Sequence, residues 1–322
     1  MMDESPAIKR LGIPQFQWWN EALHGVGRNG TSTVFPITMG MAASWDDALL
    51  FKVYDAVSDE ARAKAQQAKG HGRINRYQSL SFWTPNINIF RDPRFKGGDR
   101  TDIELPQVQR DLMASIHKSG KKLVFVNCSG GAMGLEPESQ NCDAILQAWY
   151  LGEKGGEAVA DVIFGDVNPS GKLPVTFYKS VSQLPDFLDY TMMNRTYRYM
   201  TEKPLFAFGH GLSYSKFKYS KLQYANGKLA LQLQNTSSVD GDEVVQVYLR
   251  KVGDSNGPVK QLRAFKRVSV PAKKTVRVEF QLDDKTFEWW DPSTSTMRTL
   301  RGDYELMVGG ASDNTISKTI RW

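Results

Sequence analysis

The sequence predicts a protein of mixed class, α/β plus all-β, and three features of the 322-residue chain support this prediction. A helix-forming run lies near the start, at residues 48–69. A continuous apolar run at residues 123–127 is typical of a strand in a parallel sheet. Residues 228–234 alternate between polar and apolar side chains, as strands with one buried face do. This order predicts an α/β region followed by an antiparallel β-sandwich.

The first helix has a recognisable start and end. Ser44 is a good N-cap, and Asp47 stands three residues later, where it forms a weaker version of the capping box. Gly70 ends the helix. We expect a short strand end before the helix, at residues 33–36, and a second strand after it, at residues 80–90.

Residues 99 to about 205 alternate between helix and strand patterns, which predicts a doubly wound sheet. An amphipathic helix is expected first and is stopped by Gly120. The paired glycines Gly155–Gly156 open the last helix, and without a GxGxxG pattern they predict no nucleotide site. The expected elements are a helix at 105–118, a strand at 123–127, a strand at 144–150 and a helix at 157–164.

The last third of the chain has short alternating strands at regular spacing, separated by turn residues such as those at 226–227 and 254–258. Such spacing over roughly 100 residues is typical of a sandwich of the immunoglobulin or fibronectin type III kind. The predicted strands include residues 228–234, 244–249, 276–280 and 304–308.

Composition excludes several classes of function. The net charge is +6, but the basic residues are dispersed and accompany no nucleic-acid motif, so no nucleic-acid partner is predicted. No apolar run is long enough to span a membrane. The first residues carry no signal peptide, and the cell compartment stays open. Cys128 and Cys142 form no disulfide framework or metal spacing, and we expect both to be small buried residues. No metal or other cofactor is predicted.

Five motifs stand in a fixed order along the chain and cover most of it. Together they resemble family 3 glycoside hydrolases, and the first, Trp-Trp-Asn-Glu-Ala-Leu-His-Gly, is most similar to the β-xylosidase branch. The motifs are residues 18–25 with 34–36 and 42–46, residues 82–94, residues 98–100 with 103–106, residues 147–174, and residues 197–214.

The resemblance implies three domains. Residues 1–98 would be a partial TIM barrel, residues 99–205 a partial α/β sandwich, and residues 206–322 a fibronectin type III-like β-sandwich. It also implies an exo-acting, retaining β-glycosidase of the β-xylosidase or β-glucosidase type in hemicellulose breakdown. The partner would be a β-linked xylo- or gluco-oligosaccharide. Relatives are commonly exported to the periplasm or the extracellular space.

The chain differs from the family in the length of its barrel segment and in its catalytic motifs. A TIM barrel needs about 250 residues, and fewer than a hundred precede the α/β segment. A large internal deletion is therefore expected near residues 95–98, and a leading segment is expected to be missing as well. No Thr-Asp-Trp or Ser-Asp-Trp motif remains to supply the nucleophile. The glutamate of the acid/base pair and the sugar-binding Lys-His pair are also absent, so no catalytic residue is assigned.

One substrate-binding residue is carried over by motif. Glu21 stands where the family places a carboxylate that binds sugar hydroxyls, and a carboxylate accepts hydrogen bonds from adjacent hydroxyls. The alternative is a solvated loop glutamate. His24 is expected to be structural, and Asp46 to belong to the helix start. Two further sets of residues are considered: Trp18, Trp19 and Trp83 for stacking on a sugar, and Arg91, Asp92 and Arg94 for holding a strand end together.

Three hypotheses follow. The first is an active β-glycosidase, and the second is a non-catalytic remnant or carbohydrate-binding pseudoenzyme, which the missing carboxylates favour. The third, a basic nucleic-acid binder, ranks last. An incomplete barrel also leaves sheet edges open. The first hundred residues would then pack as an irregular layer, pair with another chain in a homo-oligomer, or be partly disordered.

Overall fold

The computed structural model describes residues 4–72, 74–82, 92–95 and 100–322. The chain divides into two compact units. The first comprises Met1–Ala42, Asp46–Ile89 and Ala148–Val159, and the second comprises Ala43–Trp45, Phe90–Gln147 and Ala160–Trp322. The boundaries expected near residues 98 and 205 remain predictions.

The first unit is built around one long helix. Strands β1 and β2 form a two-residue antiparallel pair ahead of it. Val57 and Ala61 on the long helix pack against Ala22 and Val26, so its apolar face forms the small core of this unit. The elements in chain order are β1 (Glu4–Ser5), β2 (Phe16–Gln17), α1 (Thr38–Ala42) and α2 (Asp47–Gly70).

Helix α2 begins later than the sequence predicts. Its N-cap is Asp46, whose side chain accepts a hydrogen bond of 2.9 Å from the backbone N–H of Leu49. Trp45 has a φ of 50°, in the left-handed region, which prevents the helix from starting at Ser44. The Ser44 N-cap is therefore wrong. The helix includes Gly70, the residue expected to stop it.

The strand expected at residues 33–36 does not form, because other parts of the first unit engage its backbone. Phe35 N–H donates to the carbonyl of His24 at 2.9 Å, and Glu153 N–H donates to the carbonyl of Val34 at 3.0 Å. The strand expected at residues 80–90 lies mostly outside the described residues. Within it, Phe82 forms one parallel bridge with Asn20.

The α/β region of the second unit contains the predicted alternation of helix and strand. Strands β3 and β4 pair in parallel, from Val124 opposite Ala144 to Asn127 opposite Gln147. Helix α4 connects them, as parallel pairing requires a crossover. The helices and strands from here to the sandwich are α3 (Gln107–Lys118), β3 (Val124–Asn127), α4 (Glu136–Asn141), β4 (Ala144–Gln147), α5 (Gly155–Phe164) and α6 (Thr196–Tyr199).

Two expectations about burial in this region are wrong. The apolar run at residues 123–127 predicts a buried parallel strand, yet Val124 in β3 is 44% exposed, and Asn127 is the one buried residue of β3. Among the described residues β4 is its only neighbour, so the sheet has too few strands to cover its members. Cys128 is exposed and Cys142 is half-buried. Cys128 directly follows β3 and is exposed for the same reason, the small number of neighbouring strands.

The remaining strands form a sandwich of two antiparallel sheets, as predicted. The three-stranded sheet has the order β5-β6-β9, and the four-stranded sheet has the order β13-β12-β7-β8. Strands β10 and β11 make a separate hairpin. The strands are β5 (Phe217–Ala225), β6 (Lys228–Asn235), β7 (Gly241–Lys251), β8 (Gln261–Val270), β9 (Thr275–Gln281), β10 (Glu288–Asp291), β11 (Thr296–Thr299), β12 (Asp303–Ala311) and β13 (Asn314–Arg321).

Both sheets of the sandwich contribute to one apolar core. Leu231 from the first sheet and Val247 and Leu306 from the second are among its residues, and each is at most 1% exposed. Asn226 and Gly227 join β5 to β6 with φ angles of 48° and 77°. A two-residue hairpin turn of type I′ requires both angles to be positive, which explains this residue pair. None of the described helices is long and apolar enough to cross a membrane.

Candidate functional site

The loop that carries Glu21 is anchored by the residue before it. Asn20 is buried, and its side-chain amide donates to Ser79 Oγ at 2.6 Å and to the carbonyl of Ser81 at 2.8 Å. Its oxygen accepts from the backbone N–H of Ser79 at 3.0 Å. All of the polar groups of the Asn20 amide therefore point inward. Glu21, the next residue, lies in a backbone bridge with Gly27, which closes the loop.

The carboxylate of Glu21 lies beside a cation. Its Oε2 is 3.2 Å from Arg28 Nε, and the side chains of Glu21 and Arg28 are 44% and 64% exposed. Arg28 Nη1 also donates to the hydroxyl of Tyr77 at 3.1 Å. The hydrogen bond to Tyr77 and the charge of Glu21 raise the pKa of Arg28, which stays cationic. The carboxylate of Glu21, the guanidinium of Arg28 and the phenol of Tyr77 therefore form one series of contacts, with Arg28 in the middle.

Aromatic groups border this set. Tyr77 N–H donates to the carbonyl of Trp19 at 3.0 Å. The guanidinium of Arg76 lies 5.8 Å from the centre of the Trp19 ring, and that of Arg28 lies 5.5 Å from the centre of the Tyr77 ring. We refer to Trp19, Glu21, Arg28, Arg76 and Tyr77 as the Glu21 cluster. Sequence reasoning missed Arg28, Arg76 and Tyr77, because no motif spans the distance from the first loop to residues 76–77.

The other residues considered from the sequence have varied positions. His24 is exposed, and its Nδ1 lies 3.2 Å from the carbonyl oxygen of Phe35, which fits a structural role. Trp18 is half-buried. Trp83 and Arg91 lie outside the described residues. Asp46 caps helix α2 and is occupied there, so it is no free nucleophile.

Asp92 and Arg94 belong to a buried ionic group in the second unit. Arg94 Nε and Nη2 donate to the two oxygens of Asp92 at 2.9 and 2.7 Å, and Arg195 Nη1 donates to the same carboxylate. Asp92 and Arg195 are both 0% exposed. Burial opposes ionisation of Asp92, but the hydrogen bonds from Arg94 and Arg195 outweigh it and lower the pKa. This group is an internal ionic contact of the second unit, and the predicted role of Asp92 and Arg94 at a strand end stays a prediction, because the strand expected at residues 80–90 lies mostly outside the described residues.

The Glu21 cluster combines groups of the kinds that contact hydroxyl groups, and Glu21 supplies its one carboxylate. A carboxylate accepts hydrogen bonds from sugar hydroxyls, Arg28 donates them, and an indole offers an apolar face. Retaining hydrolysis needs a second carboxylate about 5 to 5.5 Å away. The Glu21 carboxylate instead contacts Arg28. The described residues contain no group of acidic, histidine or cysteine side chains suited to a metal ion.

Comparison with known proteins identifies two domain families. A profile of the glycosyl hydrolase family 3 C-terminal domain matches residues 41–214. A profile of the fibronectin type III-like domain matches residues 243–312, within the β-sandwich. The first match alone covers more than half of the chain.

Individual relatives agree with these matches. A xylan 1,4-β-xylosidase of Xylanibacter ruminicola is 49% identical over 224 residues, which are 68% of this chain and 26% of that protein. A periplasmic β-glucosidase of Salmonella typhimurium is 37% identical over 61% of this chain and 28% of its own length. The crystal structure of a GH3 β-glucosidase of Bifidobacterium adolescentis superimposes with a TM-score of 0.65 at 28% identity, over 70% of this chain and 36% of that one. The chain thus matches less than two fifths of each relative.

Proposed function

The chain belongs to glycoside hydrolase family 3, and from this membership we propose that it is a non-catalytic member, which retains part of the family scaffold but hydrolyses no glycoside. The observation that carries this proposal is the absence of a nucleophile motif from the whole sequence. Asp46 is the aspartate whose neighbouring residues are most similar to such a motif, and it is the N-cap of α2. Without a nucleophile no glycosyl intermediate forms, and without a second carboxylate none is resolved.

We propose the domain origins in the same way. Residues 1–98 derive from the family's barrel, residues 99–205 from its α/β sandwich, and residues 206–322 are the fibronectin type III-like domain. The profile of the family's C-terminal domain begins at residue 41, so residues 41–98 are the part of this assignment that the profile does not support. The order of the five motifs supports the first two assignments. The two-stranded parallel sheet of β3 and β4 supports a shortened α/β sandwich, since doubly wound sheets have more strands.

Hydrolysis of aryl glycosides tests the proposal. The purified chain is incubated with 4-nitrophenyl β-xyloside and β-glucoside beside an intact relative at equal concentration. We expect a rate at least about 10⁴-fold below that of the relative, because the groups that attack the sugar and transfer the proton are missing. Release that persists through purification and is abolished by Glu21→Ala would overturn the proposal.

The Glu21 cluster favours one further role, weak binding of β-linked xylo- or gluco-oligosaccharides. Its carboxylate, guanidinium and indole are the groups that sugar recognition uses. Calorimetric titration with xylotetraose measures this role. We expect Glu21→Gln to weaken binding about tenfold, because a hydrogen bond to a charged group contributes about 1.5 kcal/mol.

Glu157→Gln is the matched control for this titration. Glu157 is also an accessible glutamate with one cation partner, Lys154 at 3.0 Å. Its removal should leave binding unchanged. A titration without heat for the unaltered chain, confirmed by unchanged fluorescence of the tryptophans, would exclude sugar binding and leave a chain without a sugar ligand.

A further inference from the structure

Helix α6 and strand β8 bring two arginines of the second unit close together. The backbone N–H of Val259, just before β8, donates to the carbonyl of Arg198 at 2.7 Å. The N–H of Leu262 donates to the hydroxyl of Tyr197 at 3.2 Å. The residue after Leu262 is Arg263. Two hydrogen bonds therefore fix the helix of Arg198 against the strand of Arg263.

Each of the two half-buried arginines has one buried N–H group without a partner. The Nε atoms of Arg198 and Arg263 are both buried and have no hydrogen-bond partner. Arg263 Nη2 donates to the carbonyl of Glu288 at 2.5 Å. The guanidinium of Arg198 makes no hydrogen bond to any residue that the structure describes. Buried N–H donors are normally satisfied, so two unsatisfied donors on neighbouring cations indicate a missing acceptor.

The charges around the two arginines are also unbalanced. Burial and the positive charge of Arg198 lower the pKa of Arg263, while Tyr197, Tyr304 and Glu288 oppose this to a lesser extent. The carboxylate of Glu288 forms no ion pair with either guanidinium within the described part of the chain. By contrast, the charge of the buried Arg195 is balanced by Asp92, although the Nε of Arg195 also has no hydrogen-bond partner. A desolvated cation without a counter-charge is unfavourable, and an anion between the two arginines would relieve this.

An aromatic ring lies near each guanidinium. Arg263 lies 5.3 Å from the centre of the Trp289 ring, and Arg198 lies 5.7 Å from the centre of the Tyr199 ring. Contacts of this kind limit the motion of an arginine side chain and leave the edge of its guanidinium free to donate. Trp289 is itself fixed, since its Nε1 donates to Asp254 at 2.6 Å.

We propose that Arg198 and Arg263 together bind one oxyanion, the carboxylate or phosphate group of a small ligand. The planar fork of an arginine matches both groups through two parallel N–H···O bonds. Each arginine supplies donors that no protein group uses, and their combined charge of two matches a phosphate or strengthens the hold on a carboxylate. This site is separate from the Glu21 cluster and does not depend on the proposed function.

Thermal unfolding of the full chain tests the proposal. Inorganic phosphate and glucuronate are each added to 100 mM at constant ionic strength, with chloride as the reference anion and glucose as the neutral control. A site with an affinity of about 1 mM should raise the melting temperature by roughly 5 °C. A rise with phosphate alone assigns a phosphorylated ligand, and a rise with glucuronate alone assigns an acidic sugar. No rise above chloride with either anion overturns the proposal.

Variants separate a binding role from a structural one. Arg198→Gln should lower the affinity for the stabilising anion at least about tenfold, because it removes one bidentate partner. In chloride alone it should leave the melting temperature unchanged or raise it, since it removes repulsion from Arg263. Arg277→Gln, on an exposed arginine paired with Glu279, is the control and should keep the full response. An equal loss of response in both variants contradicts the site.

Discussion

Strands β3 and β7 are both rich in valine, yet they differ in burial. Val124 in β3 is 44% exposed, whereas Val247 in β7 is 0% exposed. Strand β7 has neighbours on both sides and a second sheet above it, while β3 pairs with β4 alone among the described residues. An apolar strand sequence therefore favours burial, but whether the strand is buried depends on the number of neighbouring strands.

The two regions also differ in what stabilises them. The sandwich has a continuous apolar core drawn from both of its sheets. The α/β region has a smaller apolar cluster, around Ile103, Tyr178 and Met200, and several ionic contacts. Arg110 bridges Glu104 at 2.7 Å and Glu138 at 3.1 Å, and Asp92 is held by two arginines. Apolar burial tolerates changes in pH, whereas buried ion pairs fail when either partner loses its charge.

The largest effect is expected from breaking the ionic group. Asp92→Asn leaves Arg94 and Arg195 without a counter-charge, and removing one partner of a buried ion pair costs about 3 to 5 kcal/mol. Urea unfolding of the full chain measures this loss. Glu279→Gln, which removes the exposed partner of Arg277, is the control and should leave stability unchanged. Equal, small effects of both variants would show that the buried group contributes little.

A matched pair of leucines compares the apolar core with the apolar surface. Leu231 in β6 is 1% exposed, and Leu112 in α3 is 60% exposed. We expect Leu231→Ala to lower the free energy of unfolding by about 3 kcal/mol, because it leaves a cavity in the sandwich core. Leu112→Ala should change it by about 0.5 kcal/mol or less. If Leu112→Ala were the more harmful change, the surface of α3 would be buried by another group.

The smallest effect is a difference in pH dependence within the α/β region. The pKa of Asp92 is lowered in the folded state, so its contribution to stability is complete above the ordinary aspartate pKa and is lost as the pH falls through the folded value. The gap in stability between the unaltered chain and Asp92→Asn should therefore be constant above about pH 5 and narrow below about pH 4. A gap that widens on acidification would contradict this assignment.

Glu243 at the sandwich should respond in the opposite direction. Burial raises its pKa although Lys172 and Tyr219 hydrogen-bond to it, so the folded state binds its proton more readily than the unfolded state. Stability relative to Glu243→Gln should increase as the pH falls through the folded pKa toward 4.5, the ordinary pKa of glutamate. Paired urea titrations at pH 7 and pH 4.5 measure this gain. An unchanged difference at the two pH values would contradict it.

Local sequence signals predicted the elements whose cause is local. The turn at Asn226 and Gly227 needed only the preference of these residues for positive φ. The start of α2 was missed because Ser44 and Asp46 are both good caps. The choice between them depends on the left-handed backbone of Trp45, for which the sequence carries no signal.

Contacts between residues far apart in the chain could not be predicted from the sequence. Glu21 was identified from its motif, but Arg28 and Tyr77, which surround it, carry no motif of their own. Arg195 was missed because its partner Asp92 lies 103 residues earlier in the chain. The exposure of Val124 was missed for a related reason, since strand burial depends on neighbours that a strand's own residues do not specify.

The separation between Asp92 and Arg195 has a consequence for synthesis on the ribosome. Arg195 lies 103 positions after Asp92, and this stretch takes about 5 to 20 seconds to translate at typical rates. During this time the nascent chain carries a carboxylate whose fully buried partner does not yet exist. The buried ion pair between Asp92 and Arg195 therefore cannot form until Arg195 has left the exit tunnel.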